Sequence, residues 1–151
     1  MIGRRTVLLA AAALLPAAAA AQAPQVQVAQ PWARASAGAG RSTAVYLTLR
    51  AAGAADRLIG ATTPVAGMAM LHESFQDHGI ARMRMVEGLD LPAGMTVTLK
   101  PGGLHIMLTG LKQQLARGGS FPLTLHFANS PPVTVTVPVL APGASGPQTP
   151  G

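Results

Sequence analysis

An all-β sandwich is the fold class this sequence predicts, on three observations. Short apolar and β-branched runs recur along the chain, turn residues separate them at near-regular spacing, and helix signals are sparse. The runs are Val26 to Val28, Thr43 to Arg50, Arg57 to Thr63, Met68 to Phe75, Ala81 to Val86, Met95 to Lys100, Leu104 to Thr109, Phe121 to Phe127 and Val133 to Leu140. Several alternate at period two, as in Val45-Tyr46-Leu47-Thr48-Leu49 and Val133-Thr134-Val135-Thr136-Val137, which suits sheets with one buried and one wet face. Breakers mark the joints: Ala37-Gly38-Ala39-Gly40, Asp77-His78-Gly79, Pro92-Ala93-Gly94, Pro101-Gly102-Gly103 and Asn129-Ser130-Pro131-Pro132. Leu111 to Arg117 is the one segment with a short helical turn in prospect, and Gly118-Gly119 ends it.

The first 21 residues have the layout of a secretory signal peptide. Arg4-Arg5 precede the apolar stretch Thr6 to Leu15, followed by the small-residue tract Pro16 to Ala21, with cleavage expected after Ala21. The Arg pair fits a twin-arginine signal only in part, so the export route stays open. The apolar stretch falls short of the roughly 20 residues of a membrane span, so the expectation is an exported protein with no membrane span in its mature form. Residues 22–140 read as one domain and 141–151, rich in Pro and Gly without apolar period, as a disordered tail.

Composition excludes several function classes. The formal charge is +6, and removing Arg4 and Arg5 leaves 6 − 2 = +4, scattered without a basic run, so a nucleic-acid partner is not expected. The chain has no cysteine, which excludes disulfides, thiolate zinc sites, cysteine nucleophiles and the thiolate of a blue-copper electron carrier. Five carboxylates, scattered, and no Gly-x-Ser-x-Gly elbow give no acid-base pair or hydrolase nucleophile, so an enzyme is not expected.

The residues that suggest chemistry are histidines and methionines. In a strand, His105 and Met107 project from one face. Met83 lies on the face opposite Arg82 and Arg84, and His72 ends a same-side row begun by Met68 and Met70. Three strands can thus converge on one point. Imidazole with thioether favours copper(I), because soft sulfur donors select soft ions. All these donors are neutral, so copper(I) leaves such a site at net +1, whereas zinc(II) would leave +2 in a low-dielectric pocket. Met68, Met70, Met85 and Met95 read as packing residues, with Met70 and Met85 nearest the site. His78 in a turn, His126 in an alternating strand, Glu73 on the solvated face and Trp32 as a core plug take structural roles.

The spacing of the four is His72, ten residues, Met83, twenty-one residues, His105, one residue, Met107. It resembles the His-x10-Met-x21-His-x-Met motif of the PCuAC family of periplasmic copper chaperones. The flanks are similar too: Leu71-His72-Glu73, Met83-Arg84, Pro92-Ala93-Gly94, Leu99-Lys100-Pro101-Gly102-Gly103 and His105-Ile106-Met107-Leu108, within a resemblance that runs from about Pro31 to Val139. The resemblance implies a cupredoxin-like antiparallel β-sandwich of Greek-key type. It implies copper(I) bound by His72, Met83, His105 and Met107, and passed to the CuA centre of cytochrome c oxidase subunit II alongside Sco-type copper proteins. A copper scavenger for tolerance or storage shares that site, and a metal-free interaction module is the reading without it. Two departures stand out: Met85 occupies a position where the family often has proline, and the tail lacks the His and Met residues that give some members a second copper site.

Overall fold

The computed structural model describes residues 25–147. The signal-peptide reading of residues 1–21, and the last four residues of the tail, lie outside them. Ten strands and no helix make up the described chain. They are β1 (Val26–Arg34), β2 (Thr43–Ala51), β3 (Asp56–Thr62), β4 (Ala66–Asp77), β5 (Ile80–Met85), β6 (Leu89–Leu91), β7 (Thr96–Thr98), β8 (Leu104–Leu111), β9 (Ser120–Phe127) and β10 (Val133–Leu140). The cupredoxin-like β-sandwich expected from the sequence is the fold observed. The short turn expected over Leu111 to Arg117 does not form there: Lys112 and Gln113 bend, and the hydrogen-bonded turn falls at Arg117-Gly118, closed by Gly119 N–H on the Ala116 carbonyl.

Hydrogen bonding follows the order β5-β4-β8-β2-β1-β10-β9-β3-β6, with β7 pairing to β2. All strand pairs are antiparallel except β1–β10, which run parallel at Ala33↔Val139 and Arg34↔Leu140. The path passes there from one layer to the other. β1 is suited to that corner because its register against β2 shifts between Ala29 and Trp32, where Gln30 takes a left-handed conformation with φ 50°.

The core is one cluster between the layers. β2 supplies Val45, Leu47 and Leu49, β8 supplies Ile106 and Leu108, β4 supplies Leu71, and Phe121, Leu123, Leu125 and Phe127 come from every second position of β9. Each fully buried Leu or Val contributes about 1.5–3 kcal/mol over an exposed one, so the alternation read in the sequence is what holds the layers together. The alternation also determines the other face. Every β8 residue flanking a core residue, His105, Met107 and Thr109, must point away from the core.

Among the described residues, none from Ala141 on lies in a strand. Arg34 Nε donates to the Ala144 carbonyl at 3.0 Å, tying this segment to β1.

Candidate metal centre

β4 and β8 are the strands that build the site. Their register sets His72 directly across from His105 and Met70 across from Met107, while Leu71↔Ile106 and Ala69↔Leu108 face the core. Directly opposed side chains on one face lie about 5 Å apart at Cβ, so the two imidazoles meet. Their ring centroids are 5.9 Å apart, edge to face.

The turn after β4 decides what the third strand contributes. Asp77 and Ile80 pair across a two-residue connection, His78-Gly79, and both residues have positive φ (49° and 79°) as a type I′ hairpin demands. Glycine meets that demand without cost and histidine tolerates it better than a branched residue would. This tight turn locks the β4–β5 register, placing Met85 across from His72 and Met83 across from Ser74 on the outward face. Arg82 and Arg84 fall on the opposite face, in ion pairs with Asp77 (2.9 Å) and Glu73 (2.6 Å).

The Pro101-Gly102-Gly103 turn orients His105. Gly102 has φ 82°, Gly103 N–H donates to the Lys100 carbonyl, and the Gly103 carbonyl is left free to accept from Ser74 N–H (2.9 Å) and from His105 Nδ1 (3.2 Å). A carbonyl only accepts, so His105 carries its proton on Nδ1 and presents the Nε2 lone pair outward. That Nε2 is buried without a hydrogen-bond partner, as are both ring nitrogens of His72. Buried polar atoms are nearly always paired, so three orphan imidazole nitrogens on one face mark a place for an electrophile. His105 is only 3% exposed. Burial pushes its imidazole below the ordinary value and neighbouring His72 adds to this, against the Gly103 hydrogen bond, so the ring stays neutral with its lone pair available.

Tyr46 and Trp32 wall the inner side. Tyr46 projects outward from β2, 6.3 Å from the His105 ring, and Trp32 covers it at 4.6 Å between centroids. Trp32 is thus buried as expected, but on the outer face beside the site rather than inside the sandwich core. Alternation alone places Tyr46 outward; nothing in the sequence indicates that Trp32 stacks over it.

The structure brings His72, His105, Met107 and Met83 to one face of one sheet. His105 is buried, His72 and Met107 are half-buried, and Met83 is 50% exposed. The side chains of rows 68–74 of β4 and their partners on this face are all uncharged: Met68, Met70, His72, Ser74, Met83, Met85, His105, Met107 and Thr109. Among the described residues no group of three or more His, Cys, Asp or Glu stands together, so this donor set suits a soft ion rather than a hard one. Met68, Met85 and Met95, expected to pack, are more than half exposed, because Met68 and Met85 point away from the core and Met95 lies in a turn. His126 bonds Thr62 on the surface (3.0 Å) and His78 sits in the hairpin turn, both away from the imidazole pair.

A cupredoxin-like sandwich with an uncharged imidazole and thioether face defines a class, the PCuAC-type domain, and comparison with known proteins places the chain there. It belongs to the LpqE-like lipoprotein family, whose model matches residues 26–139. A relative from Leifsonia xyli subsp. xyli, described by its name as a lipoprotein, is 39% identical over 120 residues, covering 78% of this chain and 71% of its own. A Rickettsia prowazekii protein is 33% identical over 131 residues, covering 83% and 70%. Among solved structures, the copper-bound PCuAC domain of PmoF2 superposes with a TM-score of 0.66 at 24% identity, covering 80% of this chain and 97% of that domain. Copper(I)-bound DR1885 from Deinococcus radiodurans matches with a TM-score of 0.58 at 35% identity over 75% and 78%, and its apo form with 0.60 over 93% and 97%.

Proposed function

We propose that this protein is an exported copper(I) carrier that holds one ion through His72, His105, Met83 and Met107 and surrenders it to a copper-protein acceptor. The observation that carries the reading is the set of buried imidazole nitrogens without partners, facing thioethers on an uncharged surface. Two structural relatives whose names state bound copper support it. In this reading residues 1–21 are an export signal and 22–140 the carrier domain. The family's lipoprotein description supports export, and the periplasm is the compartment we assign.

The chemistry of release follows from the donors. Thioethers are neutral and bind copper(I) less firmly than thiolates, so an acceptor rich in thiolate takes the ion down a gradient of affinity. Half-exposed Met83 lets an incoming ligand approach before the ion leaves. The CuA centre of cytochrome c oxidase subunit II is the acceptor we propose, with Sco-type proteins as partners in loading it. Mixing the copper(I)-loaded protein with an apo CuA domain under anaerobic, reducing conditions, then separating the two and measuring the copper in each, tests delivery. Transfer within minutes is expected, and retention of the ion by the carrier favours a scavenger instead.

A further inference from the structure

We propose that Met85 is a fifth copper(I) donor in this chain, exchanging with Met83, so that β5 offers the ion two thioether positions rather than one. The inference rests on the copper(I) reading above and refines its ligand set.

Register carries it. The row across the sheet is His105, His72, Met85; Met107 lies two pairs to one side, across from Met70, and Met83 two pairs to the other, across from Ser74. Met107 and Met83 therefore stand four residues apart along the strands and two strands apart across them. At about 3.4 Å per residue and 4.8 Å per strand, that separates their backbones by roughly 17 Å in a flat sheet, and Met85 from Met107 by only about 12 Å. Two methionine side chains span the longer distance around one ion only when the hairpin curls towards β8. Met85 requires no such movement. The type I′ turn at His78-Gly79 pins this register, and a one-residue slip would send both methionines to the Arg82 and Arg84 face.

Exposure points the same way. Met85 is 64% exposed on the sheet face that also carries His72, His105, Met83 and Met107. A thioether there can swing onto the ion or off it at little packing cost, since Met is flexible and this one fills no core gap. With Met83 and Met85 alternating, the ion keeps three donors while an acceptor ligand replaces the fourth. Arg84, between them in sequence, is held on the opposite face by Glu73 and by stacking 5.0 Å over Phe75, so it does not intrude.

The test compares copper(I) affinities of Met83→Leu, Met85→Leu and the double variant by competition with a chromophoric chelator under reducing conditions. Methionine methyl NMR follows the same titration. Both side chains are at least half exposed, so the variants fold. Each single change should weaken binding only a few-fold and the double change about a hundredfold or more, the scale on which metal-site groups act. The methyl resonances of both Met83 and Met85 should move on copper addition while that of Met95 stays. The inference is overturned if Met83→Leu alone loses as much as the double variant, or if the Met85 methyl does not respond. Failure of the wild type to bind copper(I) would sink the carrier reading as well. Retained sensitivity to His105→Ala with indifference to Met85→Leu would sink this inference alone.

Discussion

Replacing His72 by Leu should make the metal-free protein more stable while removing its response to copper. Both ring nitrogens of His72 are buried without a hydrogen-bond partner, and a buried polar group left unpaired costs about 1–3 kcal/mol. Leucine has no polar atom to strand there, and Met70 and Met85 flank the position on the same face. What is lost is the edge-to-face contact with His105 at 5.9 Å, worth about 0.5–1.5 kcal/mol. The balance is a net gain on the order of 1 kcal/mol, which raises the melting temperature by roughly 2–8 °C for a domain of this size. With copper(I) at a hundred times its dissociation constant, the wild type gains about 2.7 kcal/mol and the variant should gain almost none. The order of the two melting temperatures therefore inverts on adding the ion, which differential scanning calorimetry under reducing conditions reads directly. A variant that melts below wild type without copper would refute the stranded-imidazole argument. Equal copper-induced shifts in the two proteins would refute the assignment of His72 to the site.

Acid should act on the site through His105. Its folded-state value lies below the ordinary 6.5, so the fold prefers the neutral ring. The associated stability is complete above about pH 6.5 and is lost as pH falls through the lower folded value, and urea midpoints of the apo protein at pH 7.5 and 5.0 should differ more for wild type than for His105→Leu. Copper affinity should decline as the medium acidifies, because protons compete with the ion for the imidazoles, a profile that chelator competition from pH 7.5 to 5 would show. Asp56 is a second acid-sensitive point, remote from the copper face. Burial pushes its carboxyl up, but the Ser130 hydroxyl and the backbone N–H groups of Arg57, Asn129 and Ser130 outweigh this and hold it below the usual range. Asp56→Asn should cost about 1.5–3 kcal/mol at pH 7 in urea unfolding, and leave copper binding unchanged. Its advantage should vanish as pH falls through the folded carboxyl value. Leu123→Ala, at a fully buried site of β9, should cost about 2–5 kcal/mol in the same assay.

Strand parity made much of the site legible before any coordinates. Met83 flanked by Arg82 and Arg84, and His105 separated from Met107 by the core residue Ile106, can fall on one face only if the segments are strands, and they are. The Asp77-His78-Gly79 turn was equally plain. What period two does not reveal is register between strands, since sliding β5 by two residues keeps every side chain on its face. The position of Met85 across from His72 depends on the hairpin being closed by two residues, a matter of backbone geometry. Burial of Met68 and Met85 was expected because methionine usually fills cores, yet a sheet with an outward apolar face gives it another place. The size of Trp32 suggests a plug, and only the bulge at Gln30 and the stack on Tyr46 explain why it plugs the outer face. Nor does composition reveal that the Gly103 carbonyl selects the His105 tautomer, because that depends on the turn at Gly102.

The central claim, that His105 and Met107 hold a soft ion, is tested most directly by copper(I) titration of the wild type against a competing chelator, alongside His105→Ala, Met107→Ala and Met95→Ala. The structure leads us to expect one ion per chain. Affinity should fall about a hundredfold or more for the first two variants and stay unchanged for Met95→Ala, whose side chain lies in a turn away from that face. Equal affinity in all four proteins would contradict the account.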